Sequence, residues 1–502
     1  MTPAANESAP TSAPSGQGRF AFAAWLFLRL LALIHFIAFV SLWVQLEGLI
    51  GPDGLLPAAR YFAAVREQLG TAGAWQLPSL CWVFGAGNFL HVLCGAGVAL
   101  SVLLFAGVAP APCLVLLWVA YLSLNGAGQI FFNFQWDALL LETTLLAVFL
   151  APWTLLPLWR AQEPPRIARL LLWWLLFRLM FLAGVVKLAS GDRSWRDLSA
   201  LTFHYETQPL PTVFGWAVHQ LPAWWHRASC AGMFVIELLV SFFVFAPRIL
   251  RHNAALLLMG LMLGVALTGN YTFFNLLAIA LCVLCLDDAW WRAAFPRRFT
   301  RVHHWLAGNP QTSAPWQRAA VIPFAGFAFA YTFAQAWPAT IPQARELPWF
   351  RPVAAVVAPF RSLNNYGLFA VMTNPRPELI FEGSNDGRAW SAYEFPHKPG
   401  ALHRRPTWVA PHQPRLDWQL WFAALGPSQH NPWVLALCEH LLRASPKVLA
   451  LLDYNPFPQK PPRFIRVVRY EYHFTDAETR ARTGQWWRRT PMNFYVPSAS
   501  LK

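Results

Sequence analysis

Lys187 is the residue of widest chemical reach in this chain, because it lies near the end of an apolar run, FLAGVVKLAS, where an amine has little water around it. Burial disfavours the charged ammonium, and a neutral lysine amine can act as a general base. The run opens into a dense polar segment, GDRSWRDLSALTFHYETQPLP, which carries Asp192, Trp195, Asp197, His204, Tyr205, Glu206 and Gln208. A plain connector needs none of these groups, whereas acid–base work or the binding of a polar ligand needs several. A metal site is not expected, since no H-E-x-x-H or comparable ligand spacing accompanies His204 and Glu206. The competing reading of Lys187 is structural, with its long stem carrying the ammonium to the nearest water.

The elements that must position these residues are membrane helices. Of the 502 residues, 56% are hydrophobic, 15% aromatic and only 13% charged, against roughly 25% charged residues in soluble domains. The formal charge of +15 would point to nucleic acid in a soluble chain. Here the arginines flank apolar runs, which makes the partner a lipid bilayer and excludes nucleic acid. A span needs about 20 apolar residues, and nine runs qualify: 20–45, 82–108, 111–130, 136–157, 167–189, 229–246, 254–269, 271–288 and 318–338. The short seventh and eighth runs read either as two spans meeting at Gly269-Asn270-Tyr271 or as one re-entrant pair. Residues 1–18 have Glu7 as their sole charge and read as a disordered tail. No cleavable signal peptide is expected, so the first run stays as a span.

Basic residues orient this array. Arg160, Arg166 and Arg169 fall between the fourth and fifth runs, Arg248 and Arg251 between the sixth and seventh, and Arg292, Arg297, Arg298 and Arg301 between the eighth and ninth. With nine spans these loops share one side, which the excess of positive charge makes cytoplasmic. The loops 46–81 and 190–228, and everything after about residue 339, then lie on the opposite face.

Several polar groups fall inside the runs: Arg29, His35, Asn88, His91, Asp137, Glu142, Arg178, Lys187 and Glu237. A charge at a helix centre costs roughly 2.5–3.5 kcal/mol, so these groups should face one another or a wet cavity. Asn88 and His91 share a helix face; Arg29 and His35 diverge around theirs, and Arg178 and Lys187 point to opposite sides, so each needs its own partner. Structural neutralisation of Asp137 and Glu142 by Arg29 or Arg178 competes with a proton relay or ligand site, and Glu237 is equally open. His35 reads as a core histidine. A cavity lined by Lys187, Glu142 and His91 would favour chemistry. Cys282 and Cys285 form C-x-x-C inside an apolar run with no second ligand pair, so they read as buried small residues. No G-x-S-x-G elbow, phosphate loop or dinucleotide fingerprint occurs, and no cofactor is expected. Asn270-Tyr271-Thr272 fits a glycosylation sequon but sits at a membrane turn.

After Trp337-Pro338 the chain changes to a soluble, mixed and β-rich C-terminal domain, 339–502, following a multi-span membrane domain, 19–338. PELIFEGSNDGRAWSAYEF, residues 377–395, reads as strand, Asp-Gly turn and strand. FIRVVRYEYHF, residues 464–474, alternates like a half-buried strand. Leu416–Leu425 and Trp433–Leu452 read as helices inserted in a sandwich. In APHQPRLDWQLWFAALG, residues 410–426, the residues Arg415, Asp417, Trp418 and Trp421 are candidate contacts for an extended or aromatic partner segment.

Six ordered blocks carry a family resemblance: SGDRSWRDLSALTFHYETQPLP, NYTFFNLLAIALCVLCLDD, NNYGLFAVMT, RPELIFEGSNDGRAW, RRPTWVAPHQPRLDWQLWFAALG and NPFPQKPPRF. Together they resemble the lipase maturation factor family. That resemblance implies a non-enzymatic membrane factor that helps exported proteins, lipases among them, to fold or assemble. It also implies that residues 339–502 and the loop 190–228 face the client. The best-known members of the family are endoplasmic reticulum membrane proteins; in a bacterial chain, which the Ala- and Pro-rich composition suggests, the corresponding place is the inner membrane. A second likeness concerns AGVVKL, residues 183–188, which is similar to the segment bearing the catalytic lysine of vitamin K-dependent gamma-carboxylase. It implies the alternative of a membrane enzyme with Lys187 as general base acting on a lipid or quinone-like substrate. A transporter is disfavoured by the large C-terminal domain and the lack of an inverted repeat.

Overall fold

The computed structural model describes residues 19–155, 162–296, 298, 311–341 and 347–501; the expected tail at 1–18 and the loop arginines Arg160, Arg297 and Arg301 lie outside the described residues. Apolar runs with no proline beyond the first turn give the first helices: α1 (Ala21–Trp43), α2 (Phe89–Ala106), α3 (Pro110–Ala127), α4 (Gln135–Leu150) and α5 (Arg166–Ala189). At 1.5 Å per residue the 24 residues of α5 reach about 36 Å, enough to cross a hydrocarbon layer of roughly 30 Å. After the polar segment, which contains α6 (Ala200–Thr207), come α7 (Ala223–Phe234), α8 (Arg248–Thr268), α9 (Phe274–Val283), α10 (Asp288–Ala294) and α11 (Pro315–Thr340).

Among the described residues seven helices are long and apolar enough to cross a membrane, and the bent pair α9–α10, with a turn of 105°, raises this to eight. The remaining candidate, 136–157, is α4, which has only 16 residues. It stops at Leu150 because Pro152 biases Ala151 to the extended backbone seen there. The carbonyls of Phe149 and Ala151 accept hydrogen bonds from Gln317 Nε2 at 3.0 and 2.9 Å. α4 packs against α3 and α5, with Asp137, Glu142, Thr143 and Thr144 all buried.

The run at 271–288 breaks at Asp287, whose Oδ1 accepts from Trp290 N at 2.9 Å to start α10 and whose Oδ2 pairs with Arg248 Nε at 2.7 Å. Asp288 accepts from the backbone N–H groups of Ala21 and Phe22, both at 3.1 Å, placing negative charge at the positive end of α1. α7 continues as a π-helical turn, Val235–Leu239, and a 3-10 segment, Val240–Phe245.

The C-terminal part is built on one antiparallel sheet, not a sandwich. Its strands are β1 (Pro377–Ser384), β2 (Ser391–Ala392), β3 (Phe464–Phe474) and β4 (Trp487–Ala499), in spatial order β2-β1-β3-β4. β1 and β3 pair from Pro377 opposite Glu471 to Ser384 opposite Phe464. Helices take the place of a second sheet: α12 (Arg415–Leu425) packs on β1 and α13 (Trp433–Leu442) on β3. The long helix expected to Leu452 is cut because Pro446 cannot continue it, and Pro446–Leu449 forms a separate turn. One apolar core runs from Phe27 in α1 through Leu139 in α4 to Trp418 in α12 and Ile465 in β3.

Candidate functional site

Lys187 occupies the last turn of α5, and its Nζ lies 2.9 and 2.8 Å from Oε1 and Oε2 of Glu237. Both residues are buried, and Trp195 presents its ring to the ammonium at 5.5 Å from the centroid. The π-helical turn at 235–239 inserts an extra residue into the helix and carries Glu237 at the junction. Removing either partner would strand a charge in an apolar setting, so the pair is locked by mutual need.

Beside this pair lies a cavity of about 510 Å³ lined by α5, α7 and its π-helical continuation, and α8, and closed at one end by Trp195, His204, Tyr205, Tyr271 and Phe369. A hydrogen-bonded chain crosses that end. Gln208 Nε2 donates to Thr268 O at 2.7 Å and Tyr205 O at 3.1 Å, Tyr271 donates its hydroxyl to Gln208 Oε1 at 2.9 Å, and His204 Nε2 lies 3.1 Å from the Tyr271 oxygen. Burial, with Lys187 nearby as a second cause, pushes the His204 imidazole down to about 4.

The other polar groups of the bundle pair away from the cavity. Glu142 accepts from Arg178, from Tyr366 Oη at 2.7 Å and from Asn364 N at 2.9 Å. Asp137 accepts from Tyr121 Oη at 2.5 Å and pairs with Arg415. Arg29 neutralises neither carboxylate; it is half-buried, with its guanidinium 4.7 Å from the Trp25 ring centroid. His91 pairs with Glu47 at 2.5 Å and accepts from Trp43 Nε1 at 2.9 Å. Lys187 therefore lines the cavity without Glu142 or His91. His35 Nε2 meets Thr144 Oγ1 at 2.7 Å, as befits a core histidine.

In the polar loop, Asp192 caps a short helix through Ser194 N at 2.8 Å and reaches Met372 N at 2.5 Å, while Trp195 Nε1 donates to Phe369 O at 3.0 Å. Asp197 is exposed and accepts from Ser199 N at 3.0 Å. Glu206 turns away from the cavity to Phe474 N at 2.9 Å and His473 Nδ1 at 3.2 Å. Arg376 Nη1 donates to the carbonyls of Glu206 and Gln208, and Arg376 Nη2 to Pro209 O at 3.0 Å. The loop is thus a socket for the C-terminal part as well as one wall of the cavity.

The four residues expected to offer a partner surface are buried instead. Arg415 holds Asp137, and Asp417 Oδ1 accepts from His397 N and Lys398 N, both at 2.8 Å. Trp418 stacks edge-on against Trp136 at 4.6 Å between centroids, and Trp421 Nε1 donates to Thr207 O at 2.9 Å. The aromatic, arginine-bearing pattern that suggested an interface marks an internal one, between the bundle and the C-terminal part. Asn270 belongs to the same seam: its Nδ2 donates to Leu210 O and Thr407 O at 3.0 and 2.8 Å, and its Oδ1 accepts from Val409 N and Ala410 N at 2.8 and 3.0 Å. Asn270 and Tyr271, legible in the sequence only as a sequon and a junction between runs, serve the seam and the cavity end; their signal is a pair of polar residues at a break between apolar runs. Among the described residues no group of three or more His, Cys, Asp or Glu is placed to hold a metal ion.

These features define a multi-pass membrane protein whose C-terminal part is docked on the bundle through buried polar bonds. The lipase maturation factor transmembrane domain matches residues 22–293, and the lipase maturation factor C-terminal domain matches residues 362–497. The chain is 36% identical to human lipase maturation factor 2, over 95% of this chain and 82% of that protein. It is 35% identical to bovine lipase maturation factor 1, over 97% of this chain and 93% of the relative, and 34% identical to human lipase maturation factor 1, over 98% and 92%. The chain belongs to the lipase maturation factor family. No solved structure matches it.

Proposed function

We propose that this chain is a membrane-embedded maturation factor assisting the folding or assembly of exported lipases. The observation that carries this is coverage: relatives named lipase maturation factor align over at least 95% of the chain, membrane bundle and C-terminal part alike. The greater part of those proteins, 82% of the first and 93% of the second, is therefore represented here. Residues 339–502 and the loop 190–228 would face the client outside the cytoplasm, an orientation supported by the arginines Arg166 and Arg169 at the start of α5, Arg248 and Arg251 at the start of α8, and Arg292 in α10, all at the opposite end of the bundle. A bacterial inner membrane, or the endoplasmic reticulum membrane in a eukaryotic cell, is the compartment that fits.

With Arg415, Asp417, Trp418 and Trp421 buried, client contact passes to exposed apolar groups of the C-terminal part, notably Trp408, Phe422, Met492 and Phe494. The enzyme alternative has less support, since both oxygens of Glu237 engage the Lys187 amine. Deleting the gene tests the proposal: exported lipase protein should persist in inactive, aggregated form, and undiminished lipase specific activity would overturn it.

A further inference from the structure

We propose that the cavity beside Lys187 binds a neutral membrane lipid bearing a free hydroxyl group, taken from the bilayer with its acyl chain along α8. The volume of about 510 Å³ falls within the roughly 300–1,000 Å³ of small-ligand sites. Leu256 and Leu257 belong to the cavity wall and are also exposed on α8, a helix long and apolar enough to span. Chains can therefore enter from the membrane side. Gly260 and Gly264, one helical turn apart on the same wall, each face open space: a Cβ there would meet no atom within 4 Å. Glycine weakens a helix interior, and two at this spacing keep room that any side chain would fill.

The polar end selects the head group. Lys187 and Glu237 cancel each other's charge, so the cavity offers no surplus cation to a phosphate. Gln208 has its orientation fixed by two backbone carbonyls, so its Oε1 must accept from Tyr271. The Tyr271 oxygen then accepts from His204 Nε2–H, which leaves His204 Nδ1 as a bare lone pair. That atom is buried and has no hydrogen-bond partner, and His204 lines the cavity. A buried acceptor of this kind is costly unless a donor reaches it. A ligand hydroxyl supplies that donor once the His204 ring turns to bring Nδ1, sealed in this structure, to the cavity face; an ester or a quaternary ammonium head cannot.

The test uses the full-length protein in phosphatidylcholine nanodiscs with a fluorescent dioleoylglycerol as probe. Dioleoylglycerol should bind, and capping its hydroxyl as the methyl ether should weaken binding about tenfold, the loss of one buried hydrogen bond. His204→Phe should bind capped and free forms alike. Gly264→Leu, or Gly260→Leu if the first fails to fold, should abolish binding without lowering the unfolding temperature. Equal binding of capped and free probe by the wild type, equal competition by added phosphatidylcholine, or undiminished binding in a folded Gly→Leu variant would each overturn the proposal.

Discussion

Arg415 and Asp137 lie 278 positions apart in the sequence, yet Nη2 of the arginine stands 2.9 Å from Oδ1 of the aspartate, with both side chains sealed from solvent. Asp137 belongs to the inner helix α4 and Arg415 opens α12, so a carboxylate buried in the bundle finds its cation only in the C-terminal part. Arg376 repeats the theme in the polar loop.

Arg415→Met leaves Asp137 charged and without its cation, and should lower stability by about 3–5 kcal/mol. The double variant Arg415→Met/Asp137→Asn should regain most of that loss. Thermal unfolding in detergent measures both; a double variant no better than the single one would show that the pair is not the cause.

Asn270 uses its whole amide to join the turn before α9 to residues 407–410. Asn270→Ala should cost about 3 kcal/mol, because the N–H groups of Val409 and Ala410 lose their acceptor where water cannot replace it. The same burial predicts that expression in a glycosylating host adds no endoglycosidase-sensitive mass at this sequon, even though its pattern is intact.

Burial, reinforced by His397 and Arg415, pushes His412 down to about 4, and His204 stands at about 4 through burial and Lys187. The unfolded chain binds these protons near pH 6.5, so between 6.5 and 4 the unfolded state holds more protons than the folded one. Stability should be intact above 6.5 and fall as the pH drops towards 4. Unfolding midpoints across that range should show a shallower slope for His412→Asn than for wild type.

Lys187→Met strands Glu237 beside an apolar cavity and should cost about 3–5 kcal/mol, whereas Lys187→Met/Glu237→Gln should be tolerated far better. Comparing the two by unfolding midpoint and membrane yield separates loss of a fold contact from loss of an active group.

The membrane array was legible because apolar length is a strong signal: α1 falls within run 20–45, α5 starts one residue before run 167–189, and α8 starts six residues before run 254–269. β3 was legible to the residue, since FIRVVRYEYHF alternates in period two. β4 was not, because WRRTPMNFYVPSA carries two prolines and clustered arginines and lies at the sheet edge. Helical geometry correctly required separate partners for Arg178 and Lys187, which the structure supplies as Glu142 and Glu237. Sequence could not reveal that Asp137 is served by Arg415, since a pairing across 278 positions leaves no local pattern. The same limit made buried seam residues look like a partner surface: composition marks an interface without saying whether it is internal.

We infer that the chain supports lipase maturation through its folded surfaces and not through chemistry at Lys187. The most direct test is the specific activity of exported lipase in cells lacking the gene, complemented with wild type or with Lys187→Met/Glu237→Gln at matched membrane levels. Low activity without the gene and equal restoration by both forms are expected. Restoration by wild type alone, with the double variant folded and present, would contradict this inference and place a reacting group at Lys187.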